Sequence, residues 1–137
     1  MSWHRSLSKK YEVKKKNKYD AGIKTELDGY SFASKSEAAL YVELKKEMHA
    51  GLWVEVHCQP SVYMTDARIL YKPDFMTVDP NGRIVYHESK GGFETAVWRI
   101  KRRLWPFYVG NDLVVYGYDY RKGVVTFKEK ITPRVKK

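Results

Sequence analysis

RILYKPDFMTVDPNGRIVYHESKG (residues 68–91) decides how this chain folds. Two runs rich in β-branched and aromatic residues, 68–78 and 83–90, flank Pro80-Asn81-Gly82, whose residue types suit a tight turn. The stretch therefore reads as a hairpin of two strands. Such a hairpin can bring Asp74, which follows Pro73, beside Glu88 at the ends of neighbouring strands. Side chains alternate along a strand, so Glu88 and Lys90 leave from one face about 6–7 Å apart and His87 from the other. Two carboxylates held this close repel each other unless a cation lies between them. Oxygen-only ligands favour Mg²⁺ or Mn²⁺ over zinc. A metal there would polarise a phosphoryl oxygen and acidify a bound water. Lys90 is placed to orient or deprotonate that water and to offset charge in the transition state.

Outward from this hairpin, the pattern is that of one domain. Asp28-Gly29, between extended runs at 23–27 and 30–32, is a two-residue hairpin signal. Ser34 followed by Glu37 has capping-box spacing, and Ala38, Tyr41, Val42, Leu44 and Met48 supply the apolar face of a helix that Gly51 stops. Residues 52–58 and 61–64 read as extended, interrupted at Pro60. Residues 94–105 are helical in pattern, with Ala96, Val97, Ile100 and Leu104 on one side and Pro106 ending or kinking the helix. Strands at 113–118 and 123–127 complete a mixed sheet with helices packed on it, an α/β or α+β fold.

The chain has 137 residues and a formal net charge of +10, and the surplus lies at its ends. Residues 1–18 carry seven basic residues, Lys14, Lys15 and Lys16 among them, against Glu12, and residues 128–137 carry five against Glu129. The stretch 19–127 holds 14 charges of each sign. A neutral domain between a basic N-terminal arm and a basic C-terminal tail suggests a polyanionic partner. Neither tail has the apolar stripe that an anionic membrane surface would require. No run approaches the roughly 18 apolar residues of a membrane span, and the basic start leads into no apolar signal segment. Cys58 is the one cysteine, which excludes an internal disulfide and a cysteine-based zinc cage and suits a cytoplasmic setting.

The order Asp74, then Glu88-x-Lys90, with Glu37 earlier on a helix, resembles the PD-(D/E)xK nuclease superfamily. Ser34-Lys35-Ser36-Glu37, Tyr71-Lys72-Pro73-Asp74-Phe75 and His87-Glu88-Ser89-Lys90-Gly91 are most similar to the phage endonuclease I type of Holliday-junction resolvase. The likeness covers roughly residues 30–105. It implies a restriction-endonuclease-like core, a mixed sheet flanked by helices with the metal at a fork in the sheet. It further implies Asp74, Glu88 and the Ser89 carbonyl as ligands of Mg²⁺ or Mn²⁺, Lys90 as the catalytic lysine, and Glu37 as the acid on the first helix. Branched DNA as substrate and a homodimer as the active form follow from the same resemblance, because a symmetric double cut needs two sites related by a two-fold axis.

Each assignment has a plainer rival. At the third helical position Glu37 could simply bond the Ser34 amide. Lys72 could contact a phosphate or be an ordinary solvated lysine. Arg99, Arg102 and Arg103 share one side of the second helix and read as a DNA-backbone face, against the alternative of a solvated surface. His57 and Gln59 lie on a strand that could border the site, against the plainer reading of polar residues on an exposed strand face. The tryptophans read as core or interface anchors. Two other functions stay open: a nicking or end-processing nuclease on unbranched DNA, and a non-catalytic nucleic-acid-binding module with the same fold.

Overall fold

Asp28 and Gly29 both take left-handed backbone angles (φ 53° and 85°), as a two-residue hairpin turn demands, and fold β1 (Thr25–Leu27) onto β2 (Tyr30–Phe32). The structure is a computed structural model and describes residues 25–134. The N-terminal arm with Lys14, Lys15 and Lys16 lies outside the described residues, as do 23–24 and 135–137. Helix α1 (Lys35–His49) starts where the Ser34 hydroxyl accepts the Glu37 amide at 3.1 Å.

Seven further strands follow: β3 (Glu55–Cys58), β4 (Val62–Met64), β5 (Ile69–Tyr71), β6 (Phe75–Val78), β7 (Ile84–Ser89), β8 (Asp112–Asp119) and β9 (Val124–Ile131). Helix α2 (Ala96–Tyr108) connects β7 to β8. The main sheet has the order β3-β6-β7-β8-β9 and is antiparallel except between β7 and β8, the pair that the α2 crossover makes parallel. Among the described residues this is a mixed five-stranded sheet with two helices, an α+β fold. Tyr30, Phe32, Tyr41, Leu44 and Phe75 form one core with α1, and Tyr71, Trp98, Trp105, Leu113 and Val115 form a second with α2. Along β7, His87 contacts Trp53 and Tyr116 while Tyr86 contacts Trp105, so alternate side chains feed the two cores.

Four local expectations are corrected. The run 68–78 is two strands, because Pro73 has no amide to donate and the chain passes there from the small β4-β5 sheet into the main one. On α1, Val42 is exposed and Leu40 is buried in its stead. On α2 the aliphatic stripe is overturned in part: Val97 and Ile100 are exposed, whereas Leu104 packs against the core beside Trp98 and Trp105, which are buried because two indoles cover more apolar area. The helix also runs past Pro106 to Tyr108, held by the Val109 amide bonding the Trp105 carbonyl at 3.0 Å.

The fourth correction concerns the C-terminal tail. Strand β9 continues to Ile131, so 128–131 belong to the sheet. Its charges are matched within the domain: Lys128 meets Glu94 at 2.9 Å and Glu129 grips Arg102 through two hydrogen bonds.

Candidate active site

The β6–β7 hairpin closes as its sequence requires. The Asp79 carboxylate accepts the amides of Asn81 and Arg83 across the turn, and Gly82 supplies the left-handed residue (φ 84°). Phe75 then pairs with His87, which sets Asp74 and Glu88 at the adjoining ladder position. The Asp74 amide donates to Glu88 Oε1 at 3.3 Å, and the Ser89 amide and hydroxyl donate to Asp74 Oδ2 at 2.8 and 3.0 Å. Tyr71, two residues before the Pro73 break, donates its hydroxyl to Glu88 Oε1 at 2.7 Å. Lys90 follows on the Glu88 side, its Nζ 3.3 Å from Glu88 Oε2 and 4.8 Å from the centre of the Trp98 ring. Gly91 must be small: a Cβ there would lie 2.9 Å from Tyr118 Cβ, so this approach fixes the segment that carries Lys90.

Glu37 reaches the cluster from the first turn of α1. Its Oε1 accepts the amide of Ala33, one residue before the expected Ser34, and its Oε2 accepts Gln59 Nε2 at 3.4 Å. The Gln59 amide in turn donates to the Asp74 carbonyl at 2.8 Å. Capping and site contact thus use different oxygens of Glu37. Gln59, read from sequence as a polar strand residue, is the link between two acids, held with a left-handed backbone (φ 49°) just beyond β3. His57 pairs with Glu55 at 2.6 Å. His87 is enclosed by the Thr77 hydroxyl at 2.8 Å and the Tyr116 hydroxyl at 2.9 Å, and burial lowers its pKa to about 3, so it is a neutral core residue.

Other candidates stand apart. Arg99, Arg102 and Arg103 line a separate depression on the outer side of α2, and Arg102 is committed to Glu129. Lys72 instead borders an open groove of about 400 Å³ into which Glu88 and Lys90 face. Lys101 of α2 lines the same groove and was absent from the sequence-based candidates. Its one signal was helical spacing, three residues after Trp98. Cys58 is half-buried and free, its thiol pushed up to about 12 chiefly by burial, which leaves it unreactive.

The electrostatics are those of crowded acids. Burial first, then the Asp74 charge, raises Glu37 to about 7 against the hydrogen bonds from Ala33 and Gln59. The same two causes raise Glu88 to about 7 against Tyr71 and Lys90. Asp74, half-buried as a residue, is also raised by its enclosure, opposed by the two Ser89 hydrogen bonds and by Lys90. Asp74 Oδ1 accepts no hydrogen bond among the described residues. No three His, Cys, Asp or Glu side chains converge on one ion position among the described residues.

A pH dependence follows. A carboxyl whose folded pKa lies above its unfolded value stabilises the fold at low pH, and that stability is lost as pH rises through the folded value. Between pH 5 and 8 with chelator, Glu37 and Glu88 should each withdraw about 2 kcal/mol, at roughly 1.4 kcal/mol per pH unit between the two midpoints. His87 works in the opposite sense, costing stability as pH falls below its ordinary value of 6.5, but it is one group against three raised carboxyls. Denaturant titrations across this window should show wild-type stability falling with pH and Glu88→Gln falling by about 2 kcal/mol less. Parallel profiles for the two proteins would refute the assignment of Glu88.

The fold and site together define a mixed-sheet α+β domain with three buried carboxyls and one lysine gathered where β6 and β7 meet α1. Residues 16–109 match the model of the family described as a protein of unknown function (DUF1064), and the chain belongs to that family. No curated protein and no solved structure matches it. Among the described residues no helix is long and apolar enough to cross a membrane.

Proposed function

We propose that this protein is a metal-dependent DNA endonuclease of the PD-(D/E)xK type, acting on branched DNA as a homodimer. One observation carries the reading. Asp74, just before β6, and Glu88 on β7 are hydrogen-bonded through the Asp74 main-chain amide, and Lys90 stands 3.3 Å from Glu88 with Glu37 joined to the Asp74 main-chain carbonyl through Gln59. The order and types of these residues are those of the motif, and the mixed sheet is of the kind the motif requires.

A Mg²⁺ or Mn²⁺ ion held by Asp74, Glu88 and the Ser89 carbonyl would supply charge at a phosphoryl oxygen and an acidified water. Ser89 orients Asp74 by occupying Oδ2, and Tyr71 orients Glu88 by occupying Oε1. Lys90, fixed between Glu88 and Trp98, offers an ammonium group to the developing negative charge. Glu37, near its midpoint at neutral pH, feels the Asp74 charge and so modulates the charge of the acid cluster. Hydrolysis is then a single displacement with no covalent enzyme intermediate.

The test is cleavage of a four-way junction and of linear duplex of the same sequence, each with Mg²⁺ or Mn²⁺. Paired symmetric cuts in the junction, faster than any cut in the linear duplex, are expected. Equal rates on both would remove the branched-substrate part. No cleavage of any DNA with either ion would leave a binding module.

A further inference from the structure

The groove that receives Glu88 and Lys90 is lined by residues of different origin. Lys72, between β5 and β6, and Lys101 of α2 both line it. Lys90 is engaged by Glu88 at 3.3 Å, whereas neither Lys72 nor Lys101 is paired with a carboxylate among the described residues. Lys101 Nζ lies 5.8 Å from the centre of the Tyr71 ring, the same tyrosine whose hydroxyl holds Glu88. One side chain, Tyr71, therefore meets both the Lys101 cation and the Glu88 carboxylate. Uncompensated cations lining a concave surface focus positive potential into it.

We infer that Lys72 and Lys101 form a phosphate clamp, a binding site for the DNA backbone that lines the groove and seats a phosphodiester over Glu88 and Lys90. It rests on the nuclease reading for what happens to the seated bond, but not for the binding itself. The clamp also takes the place of the outer arginines of α2: Arg102 is neutralised by Glu129, and Arg99 and Arg103 line a depression that shares no residue with the groove.

The experiment measures binding of a fluorescein-labelled DNA duplex to the full chain in chelator across a salt series. Wild type is compared with Lys72→Gln/Lys101→Gln, with Lys101→Arg, and with Lys46→Gln in the last turn of α1, away from the groove. Each lost phosphate contact removes about one from the slope of log affinity against log salt. The double variant should lose about two from that slope and bind roughly tenfold or more weakly at fixed salt. Lys101→Arg should keep the wild-type slope, and so should Lys46→Gln. A double variant with the wild-type slope overturns the clamp, as does a Lys46→Gln effect of equal size or a wild type that does not bind the duplex. If the slope falls as stated but wild type cuts no DNA when Mg²⁺ is restored, the clamp stands and the nuclease reading fails.

Discussion

Replacing Asp74 with asparagine is expected to lower Mg²⁺-dependent DNA cleavage about a thousandfold while leaving DNA affinity in chelator unchanged. The substitution keeps an oxygen that can accept the Ser89 amide and hydroxyl, so the hairpin end should survive it. What disappears is the charge. A metal ion stabilises the transition state by several kcal/mol, and about 4 kcal/mol corresponds to three orders of magnitude in rate. The same change should let Glu37 and Glu88 ionise more easily, because the Asp74 charge is among the causes that raise both. Single-turnover cleavage and fluorescence binding on one preparation separate the outcomes. Cleavage within tenfold of wild type would mean that Asp74 is not a ligand.

The largest effect on stability is expected from Trp105→Ala. Trp105 is fully buried, meets Tyr86 at 5.2 Å and Tyr71 at 5.8 Å between ring centres, and donates its indole N–H to the Asn111 carbonyl at 2.8 Å. Removing a buried indole costs about 3–5 kcal/mol, and in a chain of this size should lower Tm by roughly 10–20 °C. Val97→Ala on the same helix should stay within about 0.5 kcal/mol, since Val97 is 59% exposed. The pair tests the orientation of α2 directly: a helix packed through its aliphatic stripe would reverse the two results. Because Tyr71 rests on Trp105 and holds Glu88, partial cleavage activity lost below the melting range would trace the path from core to site.

What the sequence made legible was set by short-range physics. The Asp28-Gly29 turn, the Ser34 cap and the Asp79–Arg83 turn each depend on residues a few positions apart, and each formed as expected. The proximity of Asp74, Glu88 and Lys90 followed from hairpin register and strand alternation and needed no long-range knowledge. Pro73 was visible as a residue but not as a break, because the partner of β5 is β4 and that pairing is a tertiary fact. The buried face of α2 depends on which surface it meets. Two tryptophans outweigh a longer aliphatic stripe only when Tyr71 and Tyr86 are there to receive them. β9 was cut short at 127 because Lys128, Glu129 and Lys130 resemble a solvated tail until Glu94 and Arg102 are brought opposite. Gln59 and Lys101 were missed for a similar reason: their roles come from neighbours far away in the chain.

The central claim is that Asp74 and Glu88 share a divalent ion. Crystals soaked in Mn²⁺ and measured at its absorption edge test it most directly. An anomalous peak bonded to both carboxylates at about 2.0–2.2 Å, lost in Asp74→Asn, is the expected result. Carboxylates that keep only their bonds to Tyr71, Ser89 and Lys90, with no peak at saturating Mn²⁺, would contradict it.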